Sequence, residues 1–223
     1  KEIYFGSDNN LLHGHNSFGE ELAGFPFQST DRVRSSPAIG DVDNDGQMEI
    51  VFGNSSGKLY IINQDGSQQL AYTQLGFIEG APALVDIDGD QDLEIIFTTT
   101  TGSGGQVYVI HHNGATESGF PKEIGSMFAG PAVHDLDNDG VVDVVCVTYD
   151  KEIYAIEAIG GAIKTGFPFT AESRFSMPAT IVDVDSDGDY EIAAGCNSGD
   201  LYILHHDGSI HAQYNTGDDI RGG

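Results

Sequence analysis

The chain has 223 residues, 39% of them hydrophobic, which is enough for a substantial core in one all-β domain or two small ones. Nine Lys and Arg against 35 Asp and Glu give a formal charge of −26, a balance that excludes the phosphate backbone of nucleic acid and the anionic face of a membrane as natural partners. No run approaches the roughly 18 consecutive apolar residues that a membrane-spanning helix needs, and the acids cluster between β-branched runs rather than spreading as they do in disordered chains.

The first residues, Lys1 to Phe5, repeat the word found at Lys151 to Ala155, which predicts that the chain opens at the third strand of a repeat unit. Lys1 begins no apolar signal-peptide core, so the chain reads as a soluble, processed or excised piece. From residue 36 onward a long unit recurs, and its first aspartates are Asp41, Asp86, Asp135 and Asp183, at steps of 45, 49 and 48 residues. Each copy divides into a short strand of small residues (Pro82 to Val85), an acidic loop, a β-rich run (Glu49 to Phe52), a Gly-flanked turn and a third strand (Lys58 to Ile62). A tight Asp65-Gly66 hairpin and a more polar fourth strand complete it. No helical periodicity spans ten residues. A period of this length with four strands per unit predicts an all-β protein, a β-propeller of four-stranded antiparallel blades, because one such sheet cannot bury both faces alone.

The expected division is a partial blade at 1–28, blades at 29–74, 75–124, 125–172 and 173–216, and the start of another at 217–223, where Asp219 to Gly223 match Arg32 to Ser36. These ends predict a fragment or open arc of a larger propeller, within a larger multidomain protein. A second word, Gly-Phe-Pro at 24–26, 119–121 and 166–168, with Gly76-Phe77-Ile78 as a degenerate copy, is expected to end the outer strand, its Phe wedged between blades. An aromatic sugar-stacking platform is the rival reading of that word. Cys146 and Cys196 fall on successive second strands and point to the same side of their sheets, which predicts no disulfide between them.

The loops carry the chemistry. Their ligand candidates are Asp41, Asp43, Asp45, Gln47 and Glu49; Asp86, Asp88, Asp90, Asp92 and Glu94; Asp135, Asp137, Asp139, Val141 and Asp143; and Asp183, Asp185, Asp187, Asp189 and Glu191. Carboxylates at positions 1, 3 and 5 converge, position 7 offers a backbone carbonyl, position 9 an acid, and water completes the six to eight hard oxygens that Ca²⁺ takes. Mg²⁺ prefers smaller octahedral sites that keep several waters. Solvated acidic turns are the bland alternative, but four copies in register would crowd carboxylates together without relief. An EF-hand would need an acid at position 12, where this chain has Phe52, Phe97, Cys146 and Ala194. Gly at position 6 permits the turn; the second loop has Gln91 there and Gly89 at position 4, so its geometry is expected to be the most altered and its calcium the most weakly held.

The Asp-rich loop within this period, together with Gly80-Ala81-Pro82 and Phe52-Gly53, resembles the FG-GAP/VCBS repeat family, the propeller repeat of integrin α-chain heads and many bacterial secreted proteins. That resemblance implies about four structural Ca²⁺ sites tying first strands to second strands, and a secreted or cell-surface location. His111-His112 and His205-His206 read as polar residues flanking hairpin turns, and His134 as a strand residue near the propeller axis. No Ser-His-Asp order, nucleophile elbow or phosphate loop is present, which predicts no enzyme, no catalytic residue and no organic cofactor. The favoured expectation is a non-catalytic extracellular module that binds a protein or glycan without inserting in a membrane. The alternatives are a lectin-like carbohydrate binder and an accessory or catalytic part of a polysaccharide lyase.

Overall fold

The computed structural model describes residues 1–221, and among them there is no helix. The chain forms five antiparallel sheets in sequence order. The first has three strands, β1 (Glu2–Gly6), β2 (Leu11–Asn16) and β3 (Phe27–Gln28). Four four-stranded sheets follow: β4 (Ala38–Gly40), β5 (Glu49–Gly53), β6 (Lys58–Ile62), β7 (Gln68–Thr73); then β8 (Ala83–Val85), β9 (Glu94–Thr101), β10 (Gly104–Ile110), β11 (Lys122–Glu123). The last two are β12 (Ala132–His134), β13 (Asp143–Val147), β14 (Glu152–Glu157), β15 (Phe169–Thr170), and β16 (Thr180–Val182), β17 (Glu191–Gly195), β18 (Asp200–Leu204), β19 (Ile210–Asn215). Each is an up-and-down meander, and the short leading strands β4, β8, β12 and β16 neighbour one another in succession, as in a propeller-like stack.

What holds the stack is the two-residue period of the strands, which sends alternate side chains to opposite faces. On β5 and β6, Ile50, Phe52, Tyr60 and Ile62 pack against Leu12 and Phe25 of the first sheet. The intervening Val51, Leu59 and Ile61 pack against Ile95, Phe97, Tyr108 and Ile110 of the next. Ile96, Val107 and Val109 then meet Val144, Cys146 and Ile156, while Val145, Val147, Ile153 and Ala155 meet Ile192, Ala194, Cys196 and Tyr202. Each fully buried Ile, Leu or Phe in such a layer contributes about 1.5–3 kcal/mol. The two cysteines are free and lie in different layers, and burial pushes the Cys146 thiol up to about 12.

Two expectations need correction. The opening residues form a second strand, not a third: β1 pairs with β2 from Glu2↔Asn16 to Gly6↔Leu12, and β2 is the strand that leads into the outer β3. The Phe5-Gly6 pair is the counterpart of Phe52-Gly53, and a Cβ on Gly6 would strike Val33 just as one on Gly53 would strike Ile78. At the other end a Cβ on Gly195 would strike Ile220, so the match of Asp219 to Arg221 with Arg32 to Arg34 holds in space; Gly222 and Gly223 lie outside the described residues.

The Gly-Phe-Pro word does not end the outer strand but interrupts it. An isolated bridge (His15↔Glu21, Ile110↔Thr116, Ile156↔Ile163) precedes each word, and a two-residue strand follows it. Proline lacks the amide the ladder needs, and each Phe-Pro bond is cis. The sheets without the word have unbroken six-residue outer strands, and Gly76-Phe77 is no copy of it, since Phe77 follows β7 and bridges Thr100 of the next sheet. Phe25, Phe120 and Phe167 do pack into three of the four inter-sheet layers, as a wedge should.

The glycine of each word abuts the hairpin of the following sheet. A Cβ on Gly119 would stand 2.1 Å from the Gly160 carbonyl oxygen, at φ +84. Gly119→Ala is therefore expected to lower unfolding free energy by about 2–4 kcal/mol, from left-handed strain and loss of packing. Gly102→Ala, with nothing within 4 Å of the added carbon, serves as the neutral control in urea melts.

Candidate metal centre

The four acidic loops join the leading strand of each sheet to its second strand, and their backbones share one shape. Positions 4 and 6 are left-handed in all of them: Asn44 (φ 54) and Gly46 (φ 89), Gly89 (φ 83) and Gln91 (φ 82), Asn138 (φ 55) and Gly140 (φ 89), Ser186 (φ 64) and Gly188 (φ 104). The second loop is thus not displaced by its missing glycine. It takes the same path with Gln91 forced into a conformation that costs an L-residue about 1–2 kcal/mol.

Within each loop the carboxylates are fixed by backbone amides. Asp41 Oδ1 and Oδ2 accept from Asp45 N (3.0 Å) and Gly46 N (2.9 Å), and Asp135 holds Asp139 N and Gly140 N in the same way. Asp86 accepts from Gly89 N and Gln91 N, and Asp183 from Ser186 N. Position 5 accepts from the amide of position 7 in every loop, at Asp45, Asp90, Asp139 and Asp187. One oxygen from each of Asp41, Asp43 and Asp45 lies within 4.8 Å of the others, as do oxygens of Asp86, Asp88 and Asp90, and of Asp90, Asp92 and Glu94.

Position 9 is the buried end of each loop. Glu49 is 2% exposed, and Glu94, Asp143 and Glu191 are fully buried. Each accepts the amide of position 2 across the loop mouth: Val42 N to Glu49 (3.0 Å), Ile87 N to Glu94 (3.0 Å), Leu136 N to Asp143 (3.2 Å) and Val184 N to Glu191 (2.9 Å). Burial pushes the Glu49 and Glu94 carboxyls up, and Asp43, Asp45 and Asp41 add to the effect at Glu49. A carboxyl raised in the folded state loses stability as pH rises through its folded pKa, so at neutral pH these groups gain from a neighbouring positive charge. Asp92 Oδ1 is buried without a hydrogen-bond partner, as are Asp137 Oδ1 and Asp143 Oδ1, whose carboxylates meet Lys164 through their other oxygen. Convergent hard oxygens, some of them orphaned, fit a divalent cation with oxygen preference.

The histidine pairs are more than turn-flanking residues. Strand register places His111 opposite Glu94, with Nδ1 3.0 Å from Glu94 Oε1 and Nε2 3.4 Å from Glu117, and His112 Nδ1 lies 2.6 Å from Asp92 Oδ2. In the last sheet His205 Nδ1 stands 3.3 Å from Glu191 Oε1 and His206 Nδ1 3.1 Å from Asp189 Oδ2. The signal was in the repeat: the two copies with a His-His pair are the two with Asp at position 7. His134 lies on a leading strand, its ring 3.9 Å from that of Tyr190 in the fourth loop.

Neighbouring loops are also stitched together. Leu93 N donates to Val42 O (3.1 Å), Tyr190 N to Leu136 O (2.9 Å), and Asn138 Nδ2 to Gly188 O. The far end of the leading strands forms a separate depression of about 440 Å³, lined by Gly80, Pro82, Gly130, Pro131, Met177 and Pro178 among others. Phe128 (38% exposed) on its rim packs against Tyr149 with ring centroids 4.7 Å apart and the planes tilted by 39°, and Arg174 lies 5.1 Å over the Tyr149 ring. Because Gln91 carries the only non-glycine at position 6, Gln91→Gly is expected to raise unfolding free energy by about 1 kcal/mol by removing left-handed strain, read from denaturant midpoints.

A comparison with curated proteins returns no match. Among solved structures the chain is similar to BamB from Moraxella catarrhalis, at TM-score 0.69 and 15% identity, covering 96% of this chain and 61% of that one. It is similar to the PilY1 C-terminal domain from Pseudomonas aeruginosa, at TM-score 0.71 and 15% identity over 93% of this chain and 59% of that one. The quinohemoprotein alcohol dehydrogenase from Comamonas testosteroni matches at TM-score 0.71 and 13% identity, with 96% of this chain and 41% of that one covered. At these identities the likeness is one of fold, and the chain spans about three-fifths of the length of the first two. A family model described as FG-GAP-like repeat matches residues 41–97 and 86–146, each span opening on the first aspartate of a loop. Residues 41–146 thus carry FG-GAP-like repeats.

Proposed function

We propose that the chain is a non-catalytic, extracellular, calcium-binding β-propeller module, with four complete blades at 38–73, 83–123, 132–170 and 180–215 and a partial blade ahead of them. In this reading Ca²⁺ ties the leading strand of a blade to its second strand, and the stiffened assembly presents its exposed loops to a protein or glycan ligand. The observation that carries it is the buried position-9 carboxylate facing convergent aspartates at positions 1, 3 and 5, a set of negative charges for which the first and second loops hold no Lys or Arg among the described residues. Carboxylate and carbonyl oxygens in this number suit Ca²⁺ better than Mg²⁺, which keeps its waters and demands near-octahedral geometry. The reading includes a secreted or cell-surface location, where calcium is millimolar and fills loops of modest affinity.

A ligand surface for a protein partner is supported by the aromatic and arginine cluster of Phe128, Tyr149 and Arg174 beside the axial depression, residue types that concentrate binding energy in interfaces. The likeness in fold to BamB and to the PilY1 domain is compatible with an interaction role and assigns no partner. Carbohydrate binding, as in a lectin, is separated by a glycan array run with and without calcium, and a lyase activity by release of unsaturated product from pectic polymers.

Calcium is expected to raise the melting temperature and chelator to lower it, since a ligand that binds only the folded state adds about 2.7 kcal/mol per site at a hundredfold excess over Kd. Magnesium at equal concentration should do less. An unchanged melt in chelator, with no calcium by metal analysis, overturns the reading. Glu94→Gln keeps an oxygen for the Ile87 amide but removes the charge. It is expected to weaken calcium at the second loop at least about tenfold in titration calorimetry while leaving the calcium-free melt unchanged or higher, because a buried charge is gone.

A further inference from the structure

We infer that the third loop is closed to calcium by the chain's own Lys164, whose ammonium occupies the place a metal ion would take. Lys164 Nζ lies 2.9 Å from Asp137 Oδ2 and 2.9 Å from Asp143 Oδ2, that is, from positions 3 and 9 of one loop. The side chain is 9% exposed and Asp143 is fully buried, so the pair is shielded from competing water. Among the described residues, Lys164 is the one Lys or Arg that pairs with any of the four loops.

The other repeats show what this position does elsewhere. The outer-strand residue that reaches position 3 is Gln69 in the first blade, at 2.7 Å from Asp43, and His211 in the last, at 3.7 Å from Asp185. In the second blade Glu117 contacts His111. The third repeat differs in three further places. Position 9 is the shorter Asp143 where the others have Glu, position 7 is Val141, and the residue paired with Asp143 across the strands is Glu157 where two other repeats have His. Shortening the position-9 acid leaves room for an ammonium. Placing Glu157 opposite Asp143 sets two acids side by side, which a cation on the same sheet relieves. The four acids of the loop with Lys164 sum to −3, against −4 for the acids of the first loop and −5 for those of the second and fourth. Ca²⁺ entering here would have to strip two carboxylates from Lys164 and then share the site with the displaced ammonium.

This inference rests on calcium binding at the other loops, and it differs from the order read from the sequence, in which the second loop was the one expected to hold calcium most weakly. Native mass spectrometry of the whole chain in calcium is expected to show three ions bound, and Lys164→Met four, the gain being one ion per molecule. Crystals grown in calcium, or soaked with Tb³⁺, are expected to show ions in the first, second and fourth loops and Lys164 Nζ in the third; this arm needs no variant to fold. An ion in the third loop of the unaltered chain, with Lys164 turned to solvent, overturns the inference while leaving the calcium reading intact. Three ions in both proteins also overturns it. No ion in either protein sinks the calcium reading and the inference together.

Discussion

Four buried carboxylates, Glu49, Glu94, Asp143 and Glu191, set the terms for the rest of this molecule. Each sits at the point where a loop re-enters its sheet and accepts the amide of the second residue past the leading strand. One hydrogen bond of this charge-assisted kind closes the loop, fixes the leading strand against the second, and brings the aspartates of positions 1, 3 and 5 within reach of one another. The same bond makes the arrangement costly, because a carboxylate out of water must find positive charge or lose it by protonation. The chain answers differently in each repeat: imidazoles against Glu94 and Glu191, an ammonium against Asp143, and at Glu49 the Val42 amide, with the neutral Gln69 on Asp43 of the same loop.

The period, the acidic loops and the four-stranded unit were legible because each depends on local chemistry that repeats: small residues in the leading strand, alternation in the second and third, an Asx-Gly hairpin after them. The start of the chain was not, because Lys-Glu-Ile-Tyr occurs at both Lys1 and Lys151 and a four-residue identity outweighed the Phe5-Gly6 pair that carries the real register. Strand words of alternating charge and β-branching recur for reasons of propensity alone, whereas a glycine packed under the next sheet's side chain has one place it can be.

The roles of the histidines and of Lys164 were hidden for a different reason. They reach the loops from the ends of the third strands and from the outer strands, 14 to 27 residues away along the chain, and which of them arrives is decided by ladder register rather than by any spacing within the loop. A motif read along one segment sees the acids and misses their counter-charges. Gln91 shows the opposite case: a change inside the motif that sequence pattern treats as a defect is absorbed by a glycine two residues earlier and by local strain, with the backbone path unchanged.

At the outer rim the seams between sheets are of two kinds. Gly24, Gly119 and Gly166 meet the hairpins at Asp65, Gly160 and Asp207 backbone to backbone, with no space for even a methyl group. Between the second and third of the five sheets that contact is replaced by side chains: Leu70 and Tyr72 lie against Gly114, and Tyr72 shares a hydrogen bond with Thr116. Backbone contact of the first kind leaves sequence drift no latitude, since every substitution adds atoms where none fit. A seam filled by side chains can be retuned by exchanging one for another. Divergence among relatives of this chain should therefore concentrate at that one joint, and chimaeras that exchange whole sheets should tolerate a cut there better than at any of the three closed seams.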